Sequence, residues 1–100
     1  MAGKAMFLIR VQPGKEEEFI AHWQKELPVL KTHKGFRARE LIRVVQGEGA
    51  FVVLSEWDSP ADYQAWRESA ERARVYGEDL APLFAGAPVT GIGEVLPRME

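Results

Sequence analysis

Three aromatic side chains, Tyr63, Trp66 and Tyr76, have the types and the spacing best suited to small-molecule chemistry in this sequence. Trp66 follows Tyr63 by three residues and precedes Tyr76 by ten, close to three helical turns, so all three are expected near one helix face. An indole can form the flat wall of a ligand pocket, and a phenolic hydroxyl can donate a hydrogen bond to a ligand. Aromatic residues at helical spacing more commonly belong to a buried core, so the spacing alone leaves both interpretations open.

Three arginines, Arg37, Arg39 and Arg43, recur along a predicted strand and are the cationic candidates. Their alternation predicts a solvated strand face. Because guanidinium groups pair well with carboxylates, the alternative is that these side chains surround an anionic ligand. The acidic run at residues 16–18 has a simpler interpretation, a solvated helix start that complements the helix dipole.

Metal and nucleophile chemistry have little support in the sequence. His22 and His33 lack a ligand-type spacing and are expected to be surface residues, with His33 as a haem or metal ligand beside a pocket as the alternative. The chain has no cysteine, which excludes a disulfide framework, a thiolate metal site and a cysteine nucleophile. It also has no Ser-His-Asp set, no phosphate-binding glycine loop and no HExxH motif.

The aromatic residues need a helix that starts at a defined point, and residues 55–69 predict one. Ser59 is a good N-cap, Pro60 falls at the first helical position, and Asp62 suits the positive end of the helix dipole. The segment before Ser59 is an apolar strand. This arrangement lays the aromatic face of the helix back over a sheet, so a pocket between the two is expected to be lined by Trp66 and Tyr63.

The other elements complete a β-α-β-β-α-β order, which predicts an α+β, ferredoxin-like fold with an antiparallel sheet and one domain over residues 1–100. Pro28 is expected to kink or end the first helix, and Gly77 to break the second. The predicted strands are 4–12, 36–45, 50–57 and 89–96, the helices are 15–31 and from 60 onward with further turns in 78–84, and 46–49 is a hairpin turn. The buried stripe of the first helix is predicted to be Phe19, Ile20, Trp23, Leu27 and Leu30.

Composition limits the classes of partner. The formal net charge of −2 and a pI near 5.7 give no electrostatic footprint for nucleic acid. The longest apolar runs fall far short of the roughly 20 residues of a membrane span. The first residues lead straight into a strand pattern without a signal-peptide core, so a cytoplasmic location is expected.

The first and third strands are apolar on both faces, which predicts self-association. Phe7 and Ile9 alternate with Met6 and Leu8, and the strand at 50–57 shows the same two-sided pattern. Two helices can cover only one face of a sheet, and the other face would leave an exposed apolar patch. A second copy packed sheet to sheet is the simplest cover, so a homodimer is expected.

A set of motifs resembles the antibiotic biosynthesis monooxygenase domain family. The most specific is Trp57-x-Ser59…Tyr63-x-x-Trp66-x-x-Ser69. The similarity covers about residues 5–96, and further matching segments are Val11-x-Pro13-Gly14-Lys15, Lys34-Gly35-Phe36 and Phe51-Val52-Val53-Leu54. The resemblance implies a dimeric α/β barrel, in which two ferredoxin-like subunits share face-to-face sheets.

The family includes cofactor-free oxygenases of polycyclic aromatic substrates, haem-degrading enzymes and many proteins of unknown activity. The resemblance implies a monooxygenase acting on a small aromatic molecule. It implies catalytic roles for Trp66 and Tyr76, and substrate contacts from Tyr63, Phe7 and Arg39. In this interpretation no cofactor and no metal are required. The anion of the substrate would be stabilised by Tyr76 or an arginine.

Two alternatives stay open beside that function. The haem-degrading members carry an Asn on the first strand, a Trp on the second helix and a ligating His ten residues later. The corresponding residues here are Phe7, Trp66 and Tyr76, and the sequence contains no asparagine. Because tyrosine can ligate haem iron, haem binding remains one alternative, and a non-catalytic dimer that binds a small molecule is the other.

Overall fold

Four antiparallel strands form one sheet in the computed structural model, which describes residues 2–46 and 49–97. The spatial order of the strands is β2-β3-β1-β4, so the first and third strands are central. β1 pairs with both β3 and β4, and β2 pairs with β3. The strands are β1 (Gly3–Arg10), β2 (Phe36–Arg43), β3 (Ala50–Trp57) and β4 (Val89–Glu94).

Helical segments cover one face of this sheet and give the predicted α+β, ferredoxin-like fold. The first crossover is α1 (Glu16–Lys25) with α2 (Leu27–Leu30), and the second is α3 (Pro60–Arg67) with α4 (Ala70–Arg74). A π-helical turn (Val75–Leu80) and a short 3₁₀ turn (Ala81–Leu83) follow directly. Across residues 2–46 and 49–97, no helix combines the length and the apolar character needed to cross a bilayer.

The two faces of the sheet differ in burial, as the alternation in the sequence predicts. Ala5 and Ile9 of β1 are buried under the helices, whereas Met6 and Leu8 are 43% and 44% exposed on the opposite face. The register places Met6 beside Leu54 and Leu8 beside Val52, so apolar side chains form a continuous band across the open face.

The N-cap predicted for the second crossover is confirmed. The hydroxyl oxygen of Ser59 accepts a hydrogen bond from the backbone N–H of Asp62 at 3.2 Å, and Pro60 is the first helical residue. A second cap follows at Ser69, whose hydroxyl oxygen accepts from the backbone N–H of Arg72 at 3.1 Å. Together these caps fix where the helical segments over the sheet begin.

The buried stripe of the first helix differs from its prediction at one position. The helix stops at Lys25 and restarts at Leu27, because Pro28 has no N–H to continue the hydrogen-bond ladder. Leu27 is 37% exposed rather than part of the buried stripe, and Glu26, which has the helical spacing of Phe19 and Leu30, is buried instead. The prediction for Leu27 is therefore wrong, and the other four residues of the stripe face the core or its edge.

The prediction that Gly77 breaks the second crossover is also wrong. Gly77 lies inside the π-helical turn and does not adopt a positive φ. The wider turn lets Val75 and Leu80 both reach the core, which compensates for its weaker hydrogen bonding. In the predicted hairpin turn, Gly47 and Glu48 lie outside the described residues. β3 has its predicted bounds, β1 begins one residue earlier and ends two residues earlier than predicted, and β2 and β4 each end two residues earlier.

Candidate functional site

A cleft lies between the helical layer and the centre of the sheet. Phe7 and Ile9 of β1 and Val53 of β3 form its floor. Its cavity volume is about 40 Å³, and one side is open to solvent. That volume holds roughly three water molecules, less than a benzene ring needs, so an aromatic ring would enter only in part unless the lining side chains move.

The walls of the cleft are mostly aromatic. Trp66 comes from α3, where the capped helix start directs it toward the sheet, and the His33 ring meets it edge-on at 4.6 Å. Tyr76 comes from the π-helical turn and contacts Phe84 edge-on at 5.6 Å. The guanidinium of Arg72 lies over the Tyr76 ring at 4.2 Å and brings a positive charge to the same wall.

A buried ion pair joins the helical layer to the sheet at the cleft. Nη1 of Arg39 on β2 donates to Oε2 of Glu26 at 2.7 Å, and the two side chains are only 12% and 5% exposed. The guanidinium also lies 4.9 Å from the centre of the Trp23 ring. Burial raises the pKa of Glu26 and lowers the pKa of Arg39, so for both groups desolvation outweighs the attraction within the pair.

Two polar atoms beside this pair have no partner. Within residues 2–46 and 49–97, neither Oε1 of Glu26 nor the indole Nε1 of Trp23 makes a hydrogen bond, although both atoms are buried. Both residues line the cleft. Buried polar atoms are nearly always paired in proteins, so an unpaired acceptor and an unpaired donor at one cleft require an explanation.

The cleft brings together four of the five residues predicted for the site. Trp66, Tyr76, Phe7 and Arg39 line it. Tyr63 lies in the core under the helix, 3% exposed, with its ring edge-on to Phe7 at 6.4 Å. Burial raises the pKa of Tyr63, which keeps its phenol neutral.

The arginines of β2 do not share one solvated face, so that prediction is corrected for Arg39. A register irregularity between Phe36 and Ala38 changes the phase of the strand, and Arg39 pairs across from Ser55 on the helix side of the sheet. Arg37 and Arg43 stay half-exposed and form surface ion pairs with acidic side chains.

Sequence reasoning missed Glu26, Trp23 and Arg72 as site residues. Glu26 follows Phe19 by seven residues and Trp23 by three, which is the spacing of the buried helix face. A carboxylate at an apolar position of that stripe is the signal that could have identified it. No comparable signal marks Arg72, because its place depends on how the second crossover packs.

The histidines and acidic residues form no metal site in the described part of the chain. Within residues 2–46 and 49–97, no three His, Cys, Asp or Glu side chains come together as ligands. His33 Nε2 pairs with Oε1 of Glu71 at 3.1 Å, and its ring packs behind Trp66. His33 therefore supports the indole wall from outside the cleft.

Comparison with known proteins supplies a family for this fold. The family model described as Antibiotic biosynthesis monooxygenase matches residues 3–76. A haem oxygenase (mycobilin-producing) of Mycobacterium tuberculosis is 27% identical over 88 residues, covering 88% of this chain and 84% of the relative.

Solved structures share the fold at low sequence identity. A Bordetella bronchiseptica protein, assigned by name to the antibiotic biosynthesis monooxygenases, superposes with a TM-score of 0.86 at 20% identity, covering 96% of this chain and 98% of the other. SnoaB of Streptomyces nogalater, a cofactor-independent oxygenase, superposes with a TM-score of 0.84 at 13% identity, covering 98% and 96%. At these identities the likeness shows the fold.

Proposed function

The chain belongs to the antibiotic biosynthesis monooxygenase family, and from this premise we propose that it oxidises a small hydroxyaromatic substrate with dioxygen in the cleft under its helices. One observation carries the proposal. An apolar, aromatic-walled cleft contains Phe7, Trp66 and Tyr76 together with two cationic side chains, Arg39 and Arg72. Small-molecule sites typically combine such apolar walls with a few convergent polar groups.

The proposed reaction needs no reductant, because the substrate supplies the electrons. A phenol and dioxygen give a quinone and water. One oxygen atom replaces a ring hydrogen as a carbonyl, the other leaves as water with the two hydrogens lost from the ring and the hydroxyl, and dioxygen is the oxidant. The phenolate is the electron-rich form, so the enzyme has to favour the anion.

The chain's own groups would favour that anion and protect it. The positive charges of Arg39 and Arg72 stabilise negative charge on the substrate, and their effect is large where water is excluded. Phe7 and Trp66 hold the ring between apolar surfaces. The Tyr76 hydroxyl provides a hydrogen-bond donor in the same wall.

Haem binding is the second candidate, and the Mycobacterium tuberculosis relative is what favours it. Tyr76 would be the residue to hold the iron, because tyrosine can serve as an axial ligand. A porphyrin is several times larger than a single ring, however, and would require a much larger displacement of Phe7 and Trp66, which occupy the space between sheet and helix. We therefore rank haem below a single-ring substrate.

Two measurements test the proposed function. The first is oxygen consumption with a panel of single-ring hydroxyaromatics, without added metal or cofactor. We expect turnover with hydroxylated rings and none with their methyl ethers, and Arg39→Lys should lower it because one ammonium cannot reproduce the guanidinium geometry. Arg43→Lys, on the same strand but paired with Glu17 at the surface, is the control and should leave turnover unchanged. No turnover with any member of the panel would overturn the assignment and favour a binding role.

The second measurement is a haem titration followed by absorption. We expect no Soret shift that saturates at one haem per chain. A saturating shift that Tyr76→Phe abolishes would replace the oxygenase proposal with the haem one.

We further propose that a second copy of the chain covers the open face of the sheet. The two-sided apolar strands support this, since Met6 and Leu8 are exposed in the single chain. The site described above is complete within one chain and does not depend on that association.

A further inference from the structure

Two buried polar atoms, which belong to residues that line the cleft, have no role in the function proposed so far. They are Oε1 of Glu26, which can accept, and Nε1–H of Trp23, which can donate. We propose that Glu26 and Trp23 form a donor–acceptor pair for a substrate ring that carries a hydroxyl and a second oxygen, and that Glu26 removes the hydroxyl proton. This inference rests on the proposed oxygenase function and names the substrate class of the same site.

The backbone places the two groups side by side. Trp23 lies in α1 and Glu26 is the residue where α1 ends, so their side chains are three positions apart on one face. Both line the cleft. A small ring with two oxygens that entered between these side chains would bring one oxygen to each of them.

Arg39 fixes the carboxylate so that one oxygen remains available. Its Nη1–H donates to Oε2, and the same guanidinium lies over the Trp23 ring. The side chain of Glu26 is 95% removed from solvent, and Oε1 has no partner within residues 2–46 and 49–97. A buried carboxylate oxygen without a partner has lost its hydrogen bonds to water and makes none within the protein. A hydrogen bond donated by a substrate hydroxyl would replace one of them.

Proton transfer then follows from the local charges. The substrate O–H bond breaks, a new O–H bond forms at Oε1, and the electron pair stays on the substrate oxygen. The charges of Arg39 from β2 and Arg72 from α4 lower the pKa of Glu26, and the charge of Asp79 from the π-helical turn raises it. The same two cations would favour a substrate anion formed beside Glu26, and Asp79 would oppose it. Desolvation raises the pKa of Glu26, which makes it a better proton acceptor than an exposed carboxylate.

Trp23 recognises the second oxygen of the substrate through a hydrogen bond. Its N–H can only donate, so it selects an oxygen acceptor and gives nothing to a bare ring carbon. A site that must satisfy a buried donor and a buried acceptor discriminates strongly against ligands lacking either partner. Catechol carries both groups, phenol lacks the second oxygen, and veratrole, the dimethyl ether of catechol, lacks the hydroxyl.

Binding without oxygen is the first test, since it is independent of turnover. Under anaerobic conditions we expect catechol to bind the wild type more tightly than phenol or veratrole. Trp23→Phe should weaken catechol binding about tenfold or more and leave phenol binding nearly unchanged. Equal affinity for the three ligands, or equal losses for all of them in Trp23→Phe, would overturn the pair.

Turnover supplies the second test, through Glu26→Gln. This variant keeps the shape and an acceptor for Arg39 but removes the base, so kcat with catechol should fall by about a hundredfold or more. Wild-type kcat should decrease as pH falls through the raised pKa of Glu26, because the protonated carboxyl cannot accept the proton, and the variant should lack this decrease. Glu17→Gln, which alters the exposed pair with Arg43, is the matched control and should behave as wild type.

The two tests separate this inference from the proposed function. If no hydroxyaromatic is oxidised but catechol selectivity is lost in Trp23→Phe, the pair stands as a binding site and the oxygenase function fails. If the wild type turns over catechol and Glu26→Gln retains the rate and the pH profile, the oxygenase function stands and the base assignment fails. Circular dichroism of both variants shows whether they fold. If Glu26→Gln does not fold, the binding measurements on Trp23→Phe decide the test.

Discussion

At the residue scale, the buried pair of Glu26 and Arg39 carries a cost in stability. A carboxylate whose pKa is raised in the folded chain binds a proton more tightly there than in the unfolded chain. The pair therefore does not stabilise the folded chain at neutral pH. Proteins commonly retain such groups where activity requires them, at the expense of folding free energy.

The raised pKa predicts how the unfolding free energy of the wild type depends on pH. Between the ordinary glutamate pKa and the raised value, the folded state holds more protons than the unfolded state, so stability decreases as pH rises. Glu26→Gln cannot titrate and should lack this decrease. Denaturant titrations at a series of pH values across that window measure it, and we expect the wild type to lose stability relative to the variant as pH increases.

The exposed pair of Glu17 and Arg43 gives the control for this prediction. It joins the same helix to the same strand but is open to water. Glu17→Gln should follow the wild-type pH dependence, since an exposed ion pair contributes little. Parallel curves for the wild type and Glu26→Gln would show that the buried carboxyl titrates as an ordinary one.

At the scale of elements, two serine caps hold the wall of the cleft in place. Ser59 starts α3, which carries Trp66, and Ser69 starts α4, which carries Arg72. The Ser69 hydroxyl also donates to the carbonyl of Trp66 at 2.7 Å, so it ties the end of one segment to the start of the next.

Replacing either cap should therefore destabilise the chain by a similar amount but with different local effects. Ser59→Ala and Ser69→Ala should each lower the unfolding free energy by about 1 kcal/mol, because each leaves a backbone N–H without its acceptor. Hydrogen exchange should increase in residues 70–80 for Ser69→Ala more than for Ser59→Ala. Equal exchange in that segment for both variants would mean that Ser69 does not control it.

The same elements show which parts of the structure the sequence could predict. Alternation gave the four strands, and the cap at Ser59 gave the start of α3, because both depend on neighbouring residues. Glu26 lies three residues after Trp23 and seven after Phe19, so helical spacing alone could have placed it on the buried face. Arg39 turned inward through an irregularity in β2, and the place of Arg72 depends on how the second crossover packs, so neither position follows from neighbouring residues.

At the scale of the whole molecule, the main feature is the apolar face of the sheet that the helices leave uncovered. Large apolar side chains stand exposed on that face from the central and edge strands; those most exposed are Met6 (43%), Leu8 (44%), Ile42 (40%) and Val89 (67%). Covering such a band with a second copy would remove apolar surface from water.

Association can be tested with one charge on that face. Light scattering of the wild type at micromolar concentration should give about twice the chain mass of 11.3 kDa. Leu8→Glu should give the monomer mass with an unchanged circular dichroism spectrum, because the side chain is already half-exposed in the single chain. Val45→Glu is the control, since Val45 is an exposed apolar residue just beyond β2. A monomeric wild type would refute the prediction.

The π-helical turn has a consequence for how this site can change during evolution. Such a turn holds one residue more than an α-helical turn of the same rise, so the wall that begins at Tyr76 depends on chain length as well as on side-chain identity. Losing one residue from 77–79 would leave Leu80 four positions after Val75, the spacing at which an ordinary α-helical turn again puts both side chains on one face, and the extra width at Tyr76 would be lost. Substitutions can change the chemistry of the side chains that line the cleft. The shape of the cleft can change when a single codon in this segment is inserted or deleted.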